Sequence, residues 1–321
     1  MKKSVQFYSN DFKNLFIDIN LIGYHEQGES IVVFMKDIAN QEVIFSCVVD
    51  CYEVDKSNAT EKLLKENNIK EIDLFCWTHP HEDHSKGIDK LFKYFGKKTK
   101  VIIPSNLKMD SATNEIKKLY ERVTMINKNG KTTNGVLMLT TDTKTLYSTT
   151  YIDNRKENID VDITAFTPIS RRIINQISNK EIDYNEFSIM LLLQIADMKI
   201  LLASDIQKGT IESFKIDNAN IQNVNYIKIP HHCSKTSENL LDIVEYDGES
   251  TILATTVFRK YDLPDLKLLE KYKKQFNCIL CTSEPYIEKQ DKTDEYGVAT
   301  ISIDLHNHSY TVKTTGEAIR I

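Results

Sequence analysis

The chain has 321 residues, of which 41% are hydrophobic, and a formal net charge of −5. That length can bury a sizeable core in one large domain or two small ones, and the mild negative balance excludes a bulk electrostatic grip on nucleic acid, so any such groove must be local. No apolar run reaches the length of a membrane span, which excludes a channel formed by this chain alone, and six cysteines set mostly in apolar runs, without a signal peptide, are expected as reduced thiols of a cytoplasmic protein.

The start of the chain, through Lys13, is expected as an edge strand or a loose arm. Leu15 to Leu21 and Ile31 to Lys36 have the pattern of paired strands, and Val43 to Asp50 that of a strand closed by an aspartate. Asn58-Ala59-Thr60-Glu61 has capping-box spacing and opens a helix through Leu63 and Leu64. Glu71 to Trp77 reads as a buried strand. Ile88, Leu91, Phe92 and Phe95 then recur with helical spacing. Between these two segments lies Thr78-His79-Pro80-His81-Glu82-Asp83-His84-Ser85-Lys86-Gly87. Three histidines and an aspartate occupy six positions there, in a chain with eight histidines in all, which marks a site rather than a solvated loop. Imidazole and carboxylate are the ligands that borderline metals such as zinc take, and the carboxyl end of a strand is where ligands bind in α/β folds. Gly87 allows a tight turn at its end.

Downstream, Val101 to Pro104 is expected as a strand and Ser111 to Val123 as a helix. Lys128 to Gly135 is polar and turn-rich, and Val136 to Thr141 with Thr145 to Ile152 has the look of a hairpin. Residues 153–162 are charged and expected to be exposed, Ile163 to Thr167 a strand, and Arg171 to Asp183 a helix or lid beside the site. Asn185 to Met190 and Lys199 to Asp205 read as strands, as does Tyr226 to Pro230 running into His231-His232-Cys233-Ser234. Thr251 to Phe258 is expected as a strand, Pro264 to Phe276 as a helix begun by proline, and Cys278 to Thr282 as another strand. Cys278 and Cys281 form a lone C-x-x-C without a second pair, so core packing is the reading there. Val298 to Leu305 and Ser309 to Thr314 form a last hairpin whose turn holds His306 and His308 as solvated residues. No linker or solenoid repeat interrupts the chain, and a single domain, 1–321, with an insertion or lid within 105–185, is the simplest organisation.

The H-x-H-x-D-H loop resembles the signature of the metallo-β-lactamase superfamily. Asp50 before it, and Asp205 and His231-His232 after it, stand in the order that resemblance implies. Gln27-Gly28-Glu29-Ser30, Asn185-Glu186-Phe187-Ser188 and Pro230-His231-His232-Cys233-Ser234-Lys235-Thr236-Ser237 are similar to segments of the hydrolase domain of competence-type DNA uptake proteins, with Cys233 in place of a glycine. The resemblance runs from about residue 15 to 305 and implies an α/β fold, the αββα four-layer sandwich. It implies one or two zinc ions, or manganese, with His79 and His81 on the first and Asp83 and His84 on the second. Asp205 would bridge them and His231 would complete one site, with His232 as the alternative ligand or a donor to the leaving oxygen. Asp83, Asp205 and His232 are the residues it puts at the reaction, and Asp50 orients a ligating histidine from behind. Two departures stand out: no histidine occurs from 85 to 230, and Leu263-Pro264 holds the place of a late histidine.

The implied chemistry is hydrolysis. A zinc-bound water has its pKa lowered from about 16 to about 7, so hydroxide is available at neutral pH, and two cations about 3.5–4 Å apart stabilise both oxygens of an in-line displacement. This suits a phosphodiester, most readily in nucleic acid, with Lys86, Lys228 and Lys235 as candidate phosphate contacts. Other readings keep the fold: a hydrolase of small phosphoesters, nucleotides or lactones, one acting on phosphocholine esters of cell-wall polymers (disfavoured by the lack of an export signal), or a binding or assembly subunit with a degenerate metal site. A regulatory protein partner that gates a cytoplasmic hydrolase is expected; a membrane partner is not.

Overall fold

The computed structural model describes residues 3–6, 14–24, 26–107, 112–128, 136–152, 156–179, 181–217, 220–286 and 296–321. In chain order the amino-terminal part gives β1 (Lys3–Gln6), β2 (Leu15–Tyr24), β3 (Glu29–Asp37), β4 (Glu42–Val49), α1 (Ala59–Glu66), β5 (Leu74–Cys76) and β6 (Lys100–Pro104). The middle gives α2 (Asn114–Lys128), β7 (Val136–Thr140), β8 (Lys144–Ile152), β9 (Asn158–Ala165), α3 (Ser170–Ile177), β10 (Leu191–Ile195) and β11 (Met198–Leu202). The remainder gives α4 (Lys208–Ile216), β12 (Ile221–Val224), β13 (Tyr226–Lys228), β14 (Val244–Tyr246), β15 (Ile252–Thr255), α5 (Leu266–Lys273), β16 (Cys278–Cys281), β17 (Tyr296–Asp304), β18 (Tyr310–Gly316) and β19 (Ile319–Arg320).

Two large sheets carry the fold. One runs β18-β17-β2-β3-β4-β5-β6-β7 and the other β1-β8-β9-β10-β11-β13-β15-β16-β19. Period-two alternation decides how they stack. In β2, Leu15, Ile17, Ile19 and Leu21 point to one face, where they meet Ile163, Leu191, Leu193, Ile200 and Leu202 from the other sheet in a single buried cluster. The opposite face of the first sheet, with Phe34, Val48, Phe75 and Val101, packs on Leu64 of α1 and on Ile116, Leu119 and Val123 of α2. The outer face of the second sheet, with Leu201, Ile227 and Leu253, packs on Ile211 and Phe214 of α4 and on Leu268, Leu269 and Tyr272 of α5. Each such buried side chain contributes roughly 1.5–3 kcal/mol, so three contiguous apolar layers hold four layers of structure together. This is the αββα sandwich that the resemblance implies.

Several local expectations hold and others change. Asn58 caps α1, its side chain accepting from Glu61 N at 2.9 Å. α5 is capped by Asp265, whose side chain accepts from Leu268 N at 2.8 Å, so Pro264 precedes the cap instead of opening the helix. The expected hairpin of 136–152 is not one. β7 pairs in parallel with β6 at the edge of the first sheet, while β8 pairs with β9 in the second, so the chain crosses between sheets there. Alternation along a strand names its faces but not its partner. Part of the charged stretch expected to be exposed, 158–162, lies within β9, and Asn185 is in a 3-10 turn, Tyr184–Phe187, not a strand. The expected turn at 128–135 lies mostly outside the described residues. All six cysteines are buried and free. No helix of the described residues is long and apolar enough to cross a membrane.

Candidate metal centre

Four strand ends converge on one point between the sheets. β4 and β5 run parallel, and their carboxyl ends deliver Asp50 and the loop from Thr78. β11 and β13 run parallel in the other sheet and deliver Asp205 and the His231-His232 pair. The 78–87 loop is braced internally: Trp77 Nε1 donates to Ser85 Oγ at 2.9 Å, and His81 N to His79 O at 3.0 Å. Gly87 closes it at φ +92°, where an added Cβ would stand 2.9 Å from Asn58 Nδ2. His231, His232 and Cys233 are three consecutive residues in the left-handed region, with φ of 50°, 51° and 60°. Each costs about 1–2 kcal/mol, and Cys233 has this conformation at the position where the resemblance has glycine. The turn swings His232 inward.

Two ligand groups form around Asp205. Asp83, His84, Asp205 and His232 make the first, all buried, and His79, His81 and Asp205 the second; the candidate ligand atoms of each lie within 4.8 Å of one another. Asp205 Oδ2 is 3.5 Å from His84 Nε2, 3.5 Å from His232 Nε2 and 3.9 Å from His79 Nε2. Asp83 Oδ2 is 3.4 Å from His84 Nε2 and 3.2 Å from His232 Nε2. His79 Nε2 and His81 Nδ1 are 3.1 Å apart.

The residues behind this cluster fix its chemistry. His84 Nδ1 is 2.7 Å from Asp50 Oδ2, which also accepts from Thr78 Oγ1 at 2.6 Å. His79 Nδ1 is 2.9 Å from that same Thr78 Oγ1. Since the hydroxyl proton goes to Asp50, His79 Nδ1 carries the proton and donates. On the other side His232 Nδ1 is 2.6 Å from Thr256 Oγ1, and Thr256 Oγ1 donates to Glu29 Oε2 at 2.8 Å. By the same logic three imidazoles spend their outer nitrogen on a hydrogen bond and turn Nε2 inward, the arrangement of metal-ligating histidines. His84 Nε2 is buried with no hydrogen-bond partner. Imidazole Nε2 atoms and carboxylates apposed in this way are satisfied by a cation, so the residues present fit a metal.

The electrostatics are those of a cluster holding its charges by mutual contact. Burial pushes Asp205 up, but His232 and His84 outweigh it and hold the carboxyl well below its ordinary range. Burial likewise opposes the ionised Asp83, and His84 and His232 again win. His84 is held well above the usual imidazole range because Asp205, Asp83 and Asp50 outweigh its burial, whereas burial drives His79 well below it. Lys228 is entirely buried, with Nζ 2.7 Å from Glu29 Oε2, 3.6 Å from Asp205 Oδ1 and donating to Ser204 O at 3.2 Å.

The structure brings His79, His81, Asp83, His84 and Asp205 together and sets Asp50 behind His84. Of the histidine pair, His232 joins the ligand atoms. His231 stands on the cleft wall, its Nδ1 2.8 Å from Thr236 Oγ1, and belongs to neither ligand group. None of the three candidate phosphate lysines is among the residues that line the cleft. Lys228 is behind Asp205, Lys86 Nζ lies 5.6 Å from the Tyr52 ring centroid, and Lys235 lines a separate hollow with Glu238 and Lys271. The cation that does line the cleft, a space of about 630 Å³, is Lys260, beside Tyr261, Phe258, Tyr184 and Leu263. Sequence reasoning missed Lys260, Thr256 and the role of Glu29. Only Glu29 had a signal, its place in the quoted Gly28-Glu29-Ser30. A larger groove of about 870 Å³ crosses the outer side of β2, β17 and β18, but among the described residues it holds no ligand group.

No family model matches the chain, and no curated protein matches it in sequence. Among solved structures it is similar to a mutant of the CmlA beta-hydroxylase, at 12% identity and a TM-score of 0.41 over 74% of this chain. That alignment covers 45% of the hydroxylase, so the chain spans less than half of that protein's length. It is also similar to a diphosphatase of the PhnP family, at 9% identity and a TM-score of 0.37, covering 73% of this chain and 85% of that one. Likeness this distant carries no activity over, so function rests on the chain's own residues.

Proposed function

We propose that this protein is a metal-dependent phosphoesterase that hydrolyses a phosphodiester, with nucleic acid as its leading substrate. The observation that carries the reading is the set of inward-turned Nε2 atoms of His79, His84 and His232 around the carboxylates of Asp83 and Asp205. His79, His81 and Asp205 would hold one ion, Asp83, His84 and His232 the other, with Asp205 shared between them. Zinc and manganese both accept such donors. The ions, when bound, supply Lewis acidity and lower the pKa of water so that a nucleophile exists at neutral pH.

The chain's own side chains do the rest. Asp50, through His84 and through Thr78 to His79, holds two imidazoles in the ligating tautomer. Glu29, through Thr256, does so for His232, and Lys228 sets a positive charge behind Asp205. Lys260 supplies positive charge where an anionic substrate enters, and Tyr261 and Tyr184 offer aromatic faces on which a base can stack. His231, on the wall and outside the ligand set, is placed to hydrogen-bond a phosphoryl or leaving oxygen. The apolar wall at Leu263 stands where the resemblance has a histidine.

The test is hydrolysis of single-stranded DNA, RNA and a bis-aryl phosphodiester with added zinc or manganese, set beside elemental analysis. His79→Ala and Asp205→Ala should each lose about 100-fold or more in activity, at least what losing an outer partner costs, with the circular dichroism spectrum unchanged. Full activity in both would end the proposal. The departures at the middle histidine and at Leu263 motivate a second reading, a binding subunit with a degenerate site. That reading requires the purified protein to take up no metal.

A further inference from the structure

The His79, His81 and Asp205 group has three protein donors, and no histidine between 85 and 230 is there to add a fourth. Asn185 is 7% exposed, lines the same cleft as His81 and Asp205, and its Oδ1 is buried without a hydrogen-bond partner. A buried amide oxygen left unmatched is unfavourable, and native proteins rarely keep one without a purpose. The turn that presents it is tied on both sides. Asp183 Oδ1 accepts from Asn185 N at 3.0 Å, Ser188 N donates to Asn185 O at 3.0 Å, and the neighbouring Glu186 accepts from Arg172 Nε at 2.9 Å and from Thr210 Oγ1 at 3.1 Å. The Tyr184 ring meets the His81 ring edge-on, 6.1 Å between centroids, so the turn packs against the ligand loop.

We propose that Asn185 Oδ1 is the fourth protein donor of the His79, His81 and Asp205 position, an amide oxygen standing where relatives by resemblance place an imidazole. The inference rests on the metal-centre reading above. Two nitrogens and two oxygens make a harder donor set than three nitrogens and one oxygen. Carboxamide and carboxylate oxygens suit manganese, whereas imidazole suits zinc. This position therefore favours manganese more than an imidazole-completed one would.

Metal-free protein titrated calorimetrically with manganese and, separately, with zinc reads this directly, with elemental analysis after desalting. The wild type should bind two equivalents of manganese. Asn185→Ala should keep one and bind the other at least ~10-fold more weakly, the lower bound for losing even an outer partner of a site. Asn185→His should restore the second equivalent with its preference moved toward zinc, and Asn185→Asp should restore it for manganese. His81→Ala serves as the positive control for loss of that position. Two manganese ions bound to Asn185→Ala with wild-type affinities would overturn the assignment and leave the metal centre standing. No metal in the wild type would overturn the metal centre, and this inference with it. If Asn185→Ala fails to fold, the near-isosteric Asp variant and the His variant carry the test, and an unchanged metal preference in both refutes it.

Discussion

Lys228 is a buried cation with no route to solvent, and it matters through what it touches. Burial pulls its pKa down, but Glu29 and Asp205 outweigh this and hold the ammonium charged. Replacing it by methionine leaves Glu29 as a buried carboxylate without its ammonium, beside the Thr256 hydroxyl at 2.8 Å and His232 Nδ1 at 3.5 Å. Breaking a buried pair from one side typically costs about 3–5 kcal/mol, so Lys228→Met should lower the urea midpoint accordingly. Adding Glu29→Gln should recover part of that loss, because the two residues share one interaction. A single variant as stable as the wild type would show that the ammonium is not needed behind Asp205. The residue was visible in the sequence as a lysine near a histidine pair, and its neighbourhood suggested a phosphate contact. Its position at the end of β13, beside Ile229 of the outer apolar layer, gave no hint that its ammonium turns under the site.

Short elements carry the ligands here, and their strain is localised where function needs it. Gly87 ends the ligand loop in the left-handed region with its hydrogen facing Asn58 and Glu53. Gly87→Ala places a methyl against Asn58 Nδ2, which also reaches Cys51 Sγ at 3.3 Å and Gly87 O at 3.4 Å. The expected cost is about 1–3 kcal/mol, read from thermal melts, together with weaker metal binding because the loop and the cap of α1 are displaced at once. A substitution that leaves both unchanged would mean the loop relaxes freely. The cap at Asn58 and the strand leading to Trp77 were legible because local propensity and side-chain chemistry suffice to specify them. The partnership of β7 with β6 was not, because pairing is decided by which sheet has an open edge.

At the scale of the whole molecule, the coupled cluster makes stability depend on pH in a way that metal should reverse. Burial lowers the His232 pKa, but Asp205 and Asp83 outweigh it and push it up to about 9, from an ordinary 6.5. Protonated His232 therefore stabilises the metal-free fold fully below about pH 6.5, and that contribution is lost as the pH rises through about 9. Asp83 and Asp205 are held below the ordinary 3.8, so their contribution is present above about pH 4 and is lost on acidification. Burial holds His79, His81 and His231 below the ordinary 6.5, so their contribution is lost on acidification, and chelator-treated protein should melt highest near pH 6.5 and lose melting temperature from about 6.5 to 9. Metal ligation needs neutral imidazoles, so saturating metal should raise the melting temperature most at the upper end of that window. A chelated protein with a flat profile from 6.5 to 9 would argue that the histidines and carboxylates are not coupled.

What the amino-acid order determined by itself was the kind of site and the strands that carry it. Histidines and aspartates packed at strand ends have few other uses, and period-two alternation names a strand's buried face without any partner. Which of His231 and His232 turns inward, where each lysine ends, and that Asn185 reaches the same cleft were decided by the tertiary structure. Those outcomes depend on backbone hand at a three-residue turn and on how two sheets meet, and neither is encoded within the span of a motif.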